Sequence, residues 1–149
     1  MAPTDNIHCL LIPMWNEPLL VPNTGVAEII NFSQPEGGTG EPWFMGEIHW
    51  RGMYVPVINI EPELDLEQLD NRVRIAILNT SNGNPEQPFV GVLVRDIPKL
   101  SHVQSEDLEY KADEQESSQG IKAFMTLGND RVRIPDLDAL EKMAISVSF

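Results

Sequence analysis

A series of short apolar runs, each of strand length and set between turn-forming residues, constrains this chain more than any other feature. The runs are Ile7 to Ile12, Leu19 to Val21, Gly46 to Trp50, Tyr54 to Ile60, Arg72 to Leu78, Phe89 to Val94, Ala123 to Leu127 and Arg131 to Ile134. All are rich in β-branched residues, the side chains that fit a pleated, half-buried surface. Between them stand Asn16-Glu17-Pro18, Pro35-Glu36-Gly37-Gly38-Thr39-Gly40, Ser81-Asn82-Gly83-Asn84-Pro85 and Gly128-Asn129-Asp130, which supply the positive φ angles and fixed proline φ of turns. Many short strands without long helical patterns predict antiparallel hairpins closed into barrels or a sandwich, so the fold class is mainly β.

Only two segments read as other than strand or loop. Asp136 to Met143 has an acidic N-cap, apolar residues at 137, 140 and 143 on one face, and Lys142 near its carbonyl end, which predicts a short C-terminal helix. Gly25 to Ile30 is too short for periodicity to separate a turn from an extended piece. Ser105 to Gly120 is polar, acidic and aperiodic, the pattern of a long loop or a partly exposed helix with little core. Pro56 cannot donate to a β-ladder, so it is expected on an edge or with its nitrogen facing away from a partner strand.

With 149 residues the chain is expected to form one domain over positions 1–149, large enough to bury about 70% of its unfolded surface. No apolar run nears the roughly 20 residues of a membrane-spanning helix, and MAPTDNIHCLLIP lacks the positive flank and cleavage site of a secretory signal, so a cytoplasmic location is expected. The single Cys9 has no bridging partner and reads as a small buried apolar residue. A net charge of −13 argues against nucleic acid and anionic membranes as partners. The acids concentrate in Glu61 to Asp70 and Ser105 to Ser118, two runs that read first as solvated loops and second as docking sites for a basic partner.

Residues suited to catalysis do not converge in the sequence. His8, His49 and His102 are far apart and show neither the i, i+4 spacing nor the cysteine pairing of a zinc site, so no metal and no cofactor is expected. Nucleophile elbow, phosphate loop and calcium loop motifs are missing; Gly37-Gly38-Thr39-Gly40 lies between Glu36 and Glu41, which would repel an anion. Paired carboxylates abound, but spacing singles out no acid/base pair among twenty-three acids. On the residues alone the chain is a β-rich binding module, not an enzyme.

Five segments in order add a resemblance. Leu19-Leu20-Val21-Pro22, Val26-Ala27-Glu28-Ile29-Ile30, Pro42-Trp43-Phe44-Met45-Gly46-Glu47-Ile48, Arg51-Gly52-Met53-Tyr54-Val55-Pro56-Val57-Ile58-Asn59-Ile60 and Val90-Gly91-Val92-Leu93-Val94 resemble the CheW-like domain of bacterial chemosensory systems. The resemblance implies two small SH3-like five-stranded β-barrel subdomains sharing a hydrophobic core. It also implies a non-catalytic adaptor between the cytoplasmic tip of chemoreceptors and the regulatory domain of a histidine autokinase. The positions matching the family's contact residues are Val26, Glu28, Gly46, Arg51 and Gly52. Asn59 stands where the family usually has aspartate, and in Val94-Arg95-Asp96 the acid comes one place late. Cys9-Leu10-Leu11-Ile12-Pro13, with Leu20-Val21-Pro22-Asn23 and Val26-Ala27-Glu28, is similar to the coupling proteins of systems controlling type IV pili and twitching motility.

In that reading Arg51 extends from a hairpin turn to meet a partner carboxylate, while an internal bridge to Glu28 or Glu47 is the simpler use of its charge. Trp43, Phe44 and Trp50 are interface anchors or core, with core the expected use of Trp50. Two other readings stay open. One is a CheW-like regulatory domain of a larger kinase or receiver fusion, against which the Met1 start and Ser-Val-Ser-Phe end favour a free-standing protein. The other is an acid-dependent hydrolase, which would show converging carboxylates in a deep pocket, where an adaptor would show a shallow groove rimmed by Arg51.

Overall fold

The computed structural model describes residues 6–61, 63–80, 88–104, 108–110, 121–127 and 130–147. They form β1 (Asn6–Ile12), β2 (Leu19–Pro22), β3 (Val26–Asn31), β4 (Phe44–Trp50), β5 (Met53–Ile58), β6 (Arg74–Asn79), β7 (Phe89–Val94), β8 (Lys99–Gln104), β9 (Leu108–Tyr110), β10 (Ile121–Leu127), β11 (Asp130–Pro135) and the helix α1 (Leu137–Val147). The mainly β expectation holds, with two SH3-like subdomains and one short C-terminal helix. One sheet runs β3-β6-β7-β5-β4; the other runs β8-β1-β2-β11-β10-β9, where the three-residue β9 adds a sixth strand at one edge.

Each apolar run of the sequence falls on a strand, with Tyr54 to Ile60 running past the end of β5 and Arg72 to Leu78 starting before β6, because alternate residues serve two different cores. Ile48, Trp50, Val55, Val57, Ile75 and Ile77 fill the interior of the five-stranded subdomain. Cys9, Leu20, Val103 and Val132 fill that of the six-stranded one. The opposite faces of the same strands contribute Ile12, Leu19, Val21, Ile58, Ala76, Leu78, Val90, Val92 and Val94 to a third cluster between the subdomains, closed by Leu140 and Ala144 of α1. Strands buried on both faces read as nearly continuous apolar runs, as Val90 to Val94 does.

The five-stranded sheet closes through its own connection. After β3 the chain returns so that Glu36 and Glu47 exchange both backbone hydrogen bonds, 2.9 Å from the Glu36 N–H and 2.7 Å from the Glu47 N–H. Gly46 permits this approach. It is buried at φ +120°, and a Cβ there would collide with the Glu36 carbonyl oxygen and lie 2.7 Å from its carbon.

The segment Gly25 to Ile30 resolves as the end of a 3₁₀ turn, Asn23–Gly25, followed by β3. β8 was hidden by its weak alternation of Leu100 and His102 with Ser101 and Val103. The helix begins as expected, Asp136 accepting from the Ala139 N–H at 3.1 Å, and runs on to Val147. Pro56 is not in an edge strand; it pairs with Glu47 and precedes the β5–β7 ladder, which starts at Val57. The acidic run from Glu61 is only partly a solvated loop. Glu63, Asp65, Glu67 and Asp70 are exposed, but Glu61 is 2% exposed because an arginine meets it in the interior. Most of Ser105 to Ser118 lies outside the described residues.

Candidate functional site

The β4–β5 hairpin turns on Arg51 and Gly52, with Trp50 paired to Met53. A two-residue connection matches the right-handed twist of its strands when both central residues have positive φ. Arg51 takes +48° and Gly52 takes +78°. Glycine adopts this conformation freely, whereas a side-chain-bearing residue is strained in it.

Beside the turn, Glu28 reaches across from β3. Its Oε1 accepts from Arg51 Nη2 at 2.8 Å and from Trp50 Nε1 at 3.2 Å. The Arg51 guanidinium also lies 4.6 Å from the centre of the Trp50 ring. Trp50 itself is buried and packs edge-on to Phe89 at 4.9 Å, so the expectation that it serves the core holds while its indole N–H supports the rim. The ion pair is open to solvent, the Arg51 side chain being 65% exposed and that of Glu28 40%. Of the two internal partners considered for Arg51, the structure selects Glu28.

A β-bulge decides which other residues share this rim. The register shifts between the Val26↔Leu78 and Glu28↔Ile77 pairs, and the residue between them, Ala27, packs toward the barrel interior. Residues two apart on a regular strand share a face; a bulge breaks that rule. Val26 consequently packs against the cluster between the subdomains, while Glu28 meets Trp50 and Arg51 at the barrel's mouth. Glu28, Arg51 and Gly52 come together, Val26 faces elsewhere, and Gly46 sits at the far end of β4 beneath Glu36. The outer face of the hairpin adds Tyr54, 69% exposed, edge-on to His49 at 5.3 Å. Phe44 is buried and Trp43 half-buried against the shared core.

A second polar cluster, which the sequence reading missed, joins the subdomains. Arg133 of β11 and Glu61, after β5, form a buried ion pair with Arg133 4% exposed. Arg133 Nε donates to the Glu17 carbonyl at 2.8 Å, and its backbone N–H donates to the Pro18 carbonyl at 2.9 Å. Glu61 further accepts from the backbone N–H groups of Trp15 and Asn16 at 3.2 and 3.1 Å. Asn59, the departure from the family pattern, is buried here. Its Oδ1 accepts from the Glu61 N–H at 2.9 Å, and its own N–H donates to the Trp43 carbonyl at 2.8 Å. An aspartate in its place would add a second carboxylate beside the buried one. The signal available in the sequence was Arg133 between the apolar residues Val132 and Ile134 of a strand run, a position where a buried charge requires a partner.

An open depression of about 340 Å³ beside this cluster is lined by Trp15, Asn16, Glu61, Glu63, Leu64 and Asp65. Its carboxylates hold structural hydrogen bonds: Glu61 as above, Glu63 from Asn16 Nδ2 at 3.1 Å, and Asp65 from the Glu67 N–H at 3.0 Å. Across the fold, two of the three histidines do not stay apart: His8 and His102 meet across two strands, 4.5 Å between ring centroids. Among the described residues no group of three or more His, Cys, Asp or Glu is placed to hold a metal ion, and no helix is long and apolar enough to cross a membrane.

Among curated proteins, none matches this sequence. Among solved structures, the chain is similar to the scaffolding protein TtCheW from Thermoanaerobacter tengcongensis, with a TM-score of 0.74 and 15% identity over 93% of this chain and 89% of that one. A likeness at that identity concerns the fold. The model of the CheW-like domain matches residues 8–144, which span both subdomains and the start of α1 through Ala144. The chain belongs to the CheW-like domain family.

Proposed function

We propose that the chain, as a single CheW-like domain over residues 1–149, is a non-catalytic cytoplasmic adaptor that couples the cytoplasmic tip of chemoreceptors to the regulatory domain of a histidine autokinase. The observation that carries this reading is the Glu28–Arg51 pair at the barrel rim. A guanidinium fork has five donors, and Glu28 engages one of its nitrogens, Nη2. The fork is therefore oriented by Glu28 and Trp50 yet able to receive a partner carboxylate.

The backbone supports the same reading. A surface arginine held at φ +48° is a strained choice where glycine or asparagine would adopt the turn more easily. Strain retained at an exposed position is common at functional sites. Gly52 completes the turn, and exposed Tyr54 beside it offers an aromatic contact of the kind that anchors interfaces. Val26 contributes through the other face of β3, and Gly46 by shaping β4. Family membership and the description of TtCheW as a scaffolding protein point the same way.

The similarity of Cys9 to Pro13 and Leu20 to Asn23 to pilus-system coupling proteins extends the proposal to a chemosensory pathway governing twitching motility. Reconstitution tests the adaptor role: receptor fragment and kinase regulatory domain from the same genome co-sediment as a ternary assembly only when this chain is added. A chain that binds neither component overturns it. Deletion strains scored for twitching and for swimming test the pathway, with loss of twitching alone the expected result.

A further inference from the structure

In the ladder between β1 and β8, His8 and His102 stand directly opposite each other. Both side chains are exposed, their ring centroids are 4.5 Å apart and their planes cross at 77°. The pair toward one end of it is Leu10 with Leu100. Cys9, the nearest soft ligand in the sequence, belongs to the subdomain interior with Leu20, Val103 and Val132, on the other face of β1. Two exposed imidazoles thus stand together on the outer face of the β1–β8 ladder.

We propose that His8 and His102 form a two-imidazole chelate for a divalent late transition-metal ion. With a metal–nitrogen bond of about 2.0–2.1 Å, and roughly 1.2 Å more to the ring centre, each centre stands about 3.2 Å from the ion. Two such ligands at a right angle hold their centres about 4.5 Å apart, and a tetrahedral pair about 5.2 Å. The observed 4.5 Å fits the right-angle pair found in the octahedral and tetragonal geometries of nickel and copper ions. Water, or a donor from a partner, completes the shell.

Folding creates this site, since the two histidines are far apart in the sequence and meet only when β8 adds to β1. An ion held there binds the native state in preference to the unfolded one and pins the edge strand β8 to its neighbour. Its positive charge also suits a chain of net charge −13.

Calorimetric titration of the tag-free full chain with nickel chloride near neutral pH, paired with thermal melts, tests the proposal. One ion per chain and a rise in Tm are expected. Either His8→Gln or His102→Gln weakens binding on the order of a hundredfold, because one imidazole alone loses the gain of an intramolecular second ligand, and abolishes the Tm rise. His49→Gln and Cys9→Ser leave both signals unchanged. Absence of saturable binding up to millimolar nickel overturns the proposal. Binding that survives both histidine substitutions, or that disappears with Cys9→Ser, overturns it equally.

Discussion

The Arg51 guanidinium lies 4.6 Å from the centre of the Trp50 ring, and both side chains donate to the same Glu28 oxygen. The ring is buried and fixed, the guanidinium exposed and tethered. An exposed cation–π contact contributes about 0.5–1 kcal/mol and an exposed ion pair about 0–1 kcal/mol. These are enough to orient the fork and too little to prevent it from exchanging Glu28 for a partner.

Gly52→Val tests the turn. Space is not the obstacle, since nothing lies within 4 Å of a Cβ there, but φ is +78°. The left-handed conformation costs a residue with a Cβ about 1–2 kcal/mol, which lowers Tm by about 3–8 °C in a chain of this size. Partner binding falls with it, because the turn aims Arg51. An unchanged melting curve contradicts this conformation.

Gly46→Ala tests barrel closure and is the more damaging change. Its methyl group meets backbone, the Glu36 carbonyl, which cannot rotate aside as a side chain does. Separation of the Glu36–Glu47 bridge is expected, with a loss above about 2 kcal/mol and faster amide exchange at Glu36 and Glu47. Slow exchange at both sites would show the bridge intact.

For the buried pair between the subdomains, single and double changes have different consequences. Glu61→Ala leaves the Arg133 charge buried without its carboxylate and costs about 3–5 kcal/mol. The double change Glu61→Leu with Arg133→Met removes both charges and recovers most of that loss. Denaturant melts give both values, and a double variant as unstable as the single one contradicts the assignment.

Burial pushes the Cys9 thiol above its ordinary pKa. A thiol that holds its proton more tightly when folded contributes stability at neutral pH, and that contribution is lost as pH rises through the thiol range and beyond. Native protein is expected to react with iodoacetamide far more slowly than urea-unfolded protein at the same mildly alkaline pH. Equal rates contradict the burial.

Most strands were legible because β-branched runs alternate between two cores, as Tyr54 to Ile58 shows. The helix was legible from Asp136 and the spacing of Leu137, Leu140 and Met143. β3 and β8 were not, since Val26 to Asn31 is too short for periodicity and Leu100 to Val103 too weakly apolar. At the site, Arg51 and Glu28 were identified together by family resemblance and as a possible ion pair from charge. The separation of Val26 from Glu28 depends on a bulge, which leaves no mark in side-chain pattern. The Glu61–Arg133 and His8–His102 pairs join distant segments through strand pairing, which the sequence does not state.

Charge reversal at Arg51 tests the central claim most directly. Co-sedimentation of the Arg51→Glu chain with receptor fragment and kinase regulatory domain is compared with that of the original chain, alongside a thermal melt of each. A Tm within a few degrees and a loss of co-sedimentation of about tenfold or more are expected, since reversal places a carboxylate against both Glu28 and the partner's acid. Unchanged assembly with an unchanged melt would remove Arg51 from the interface and contradict the account.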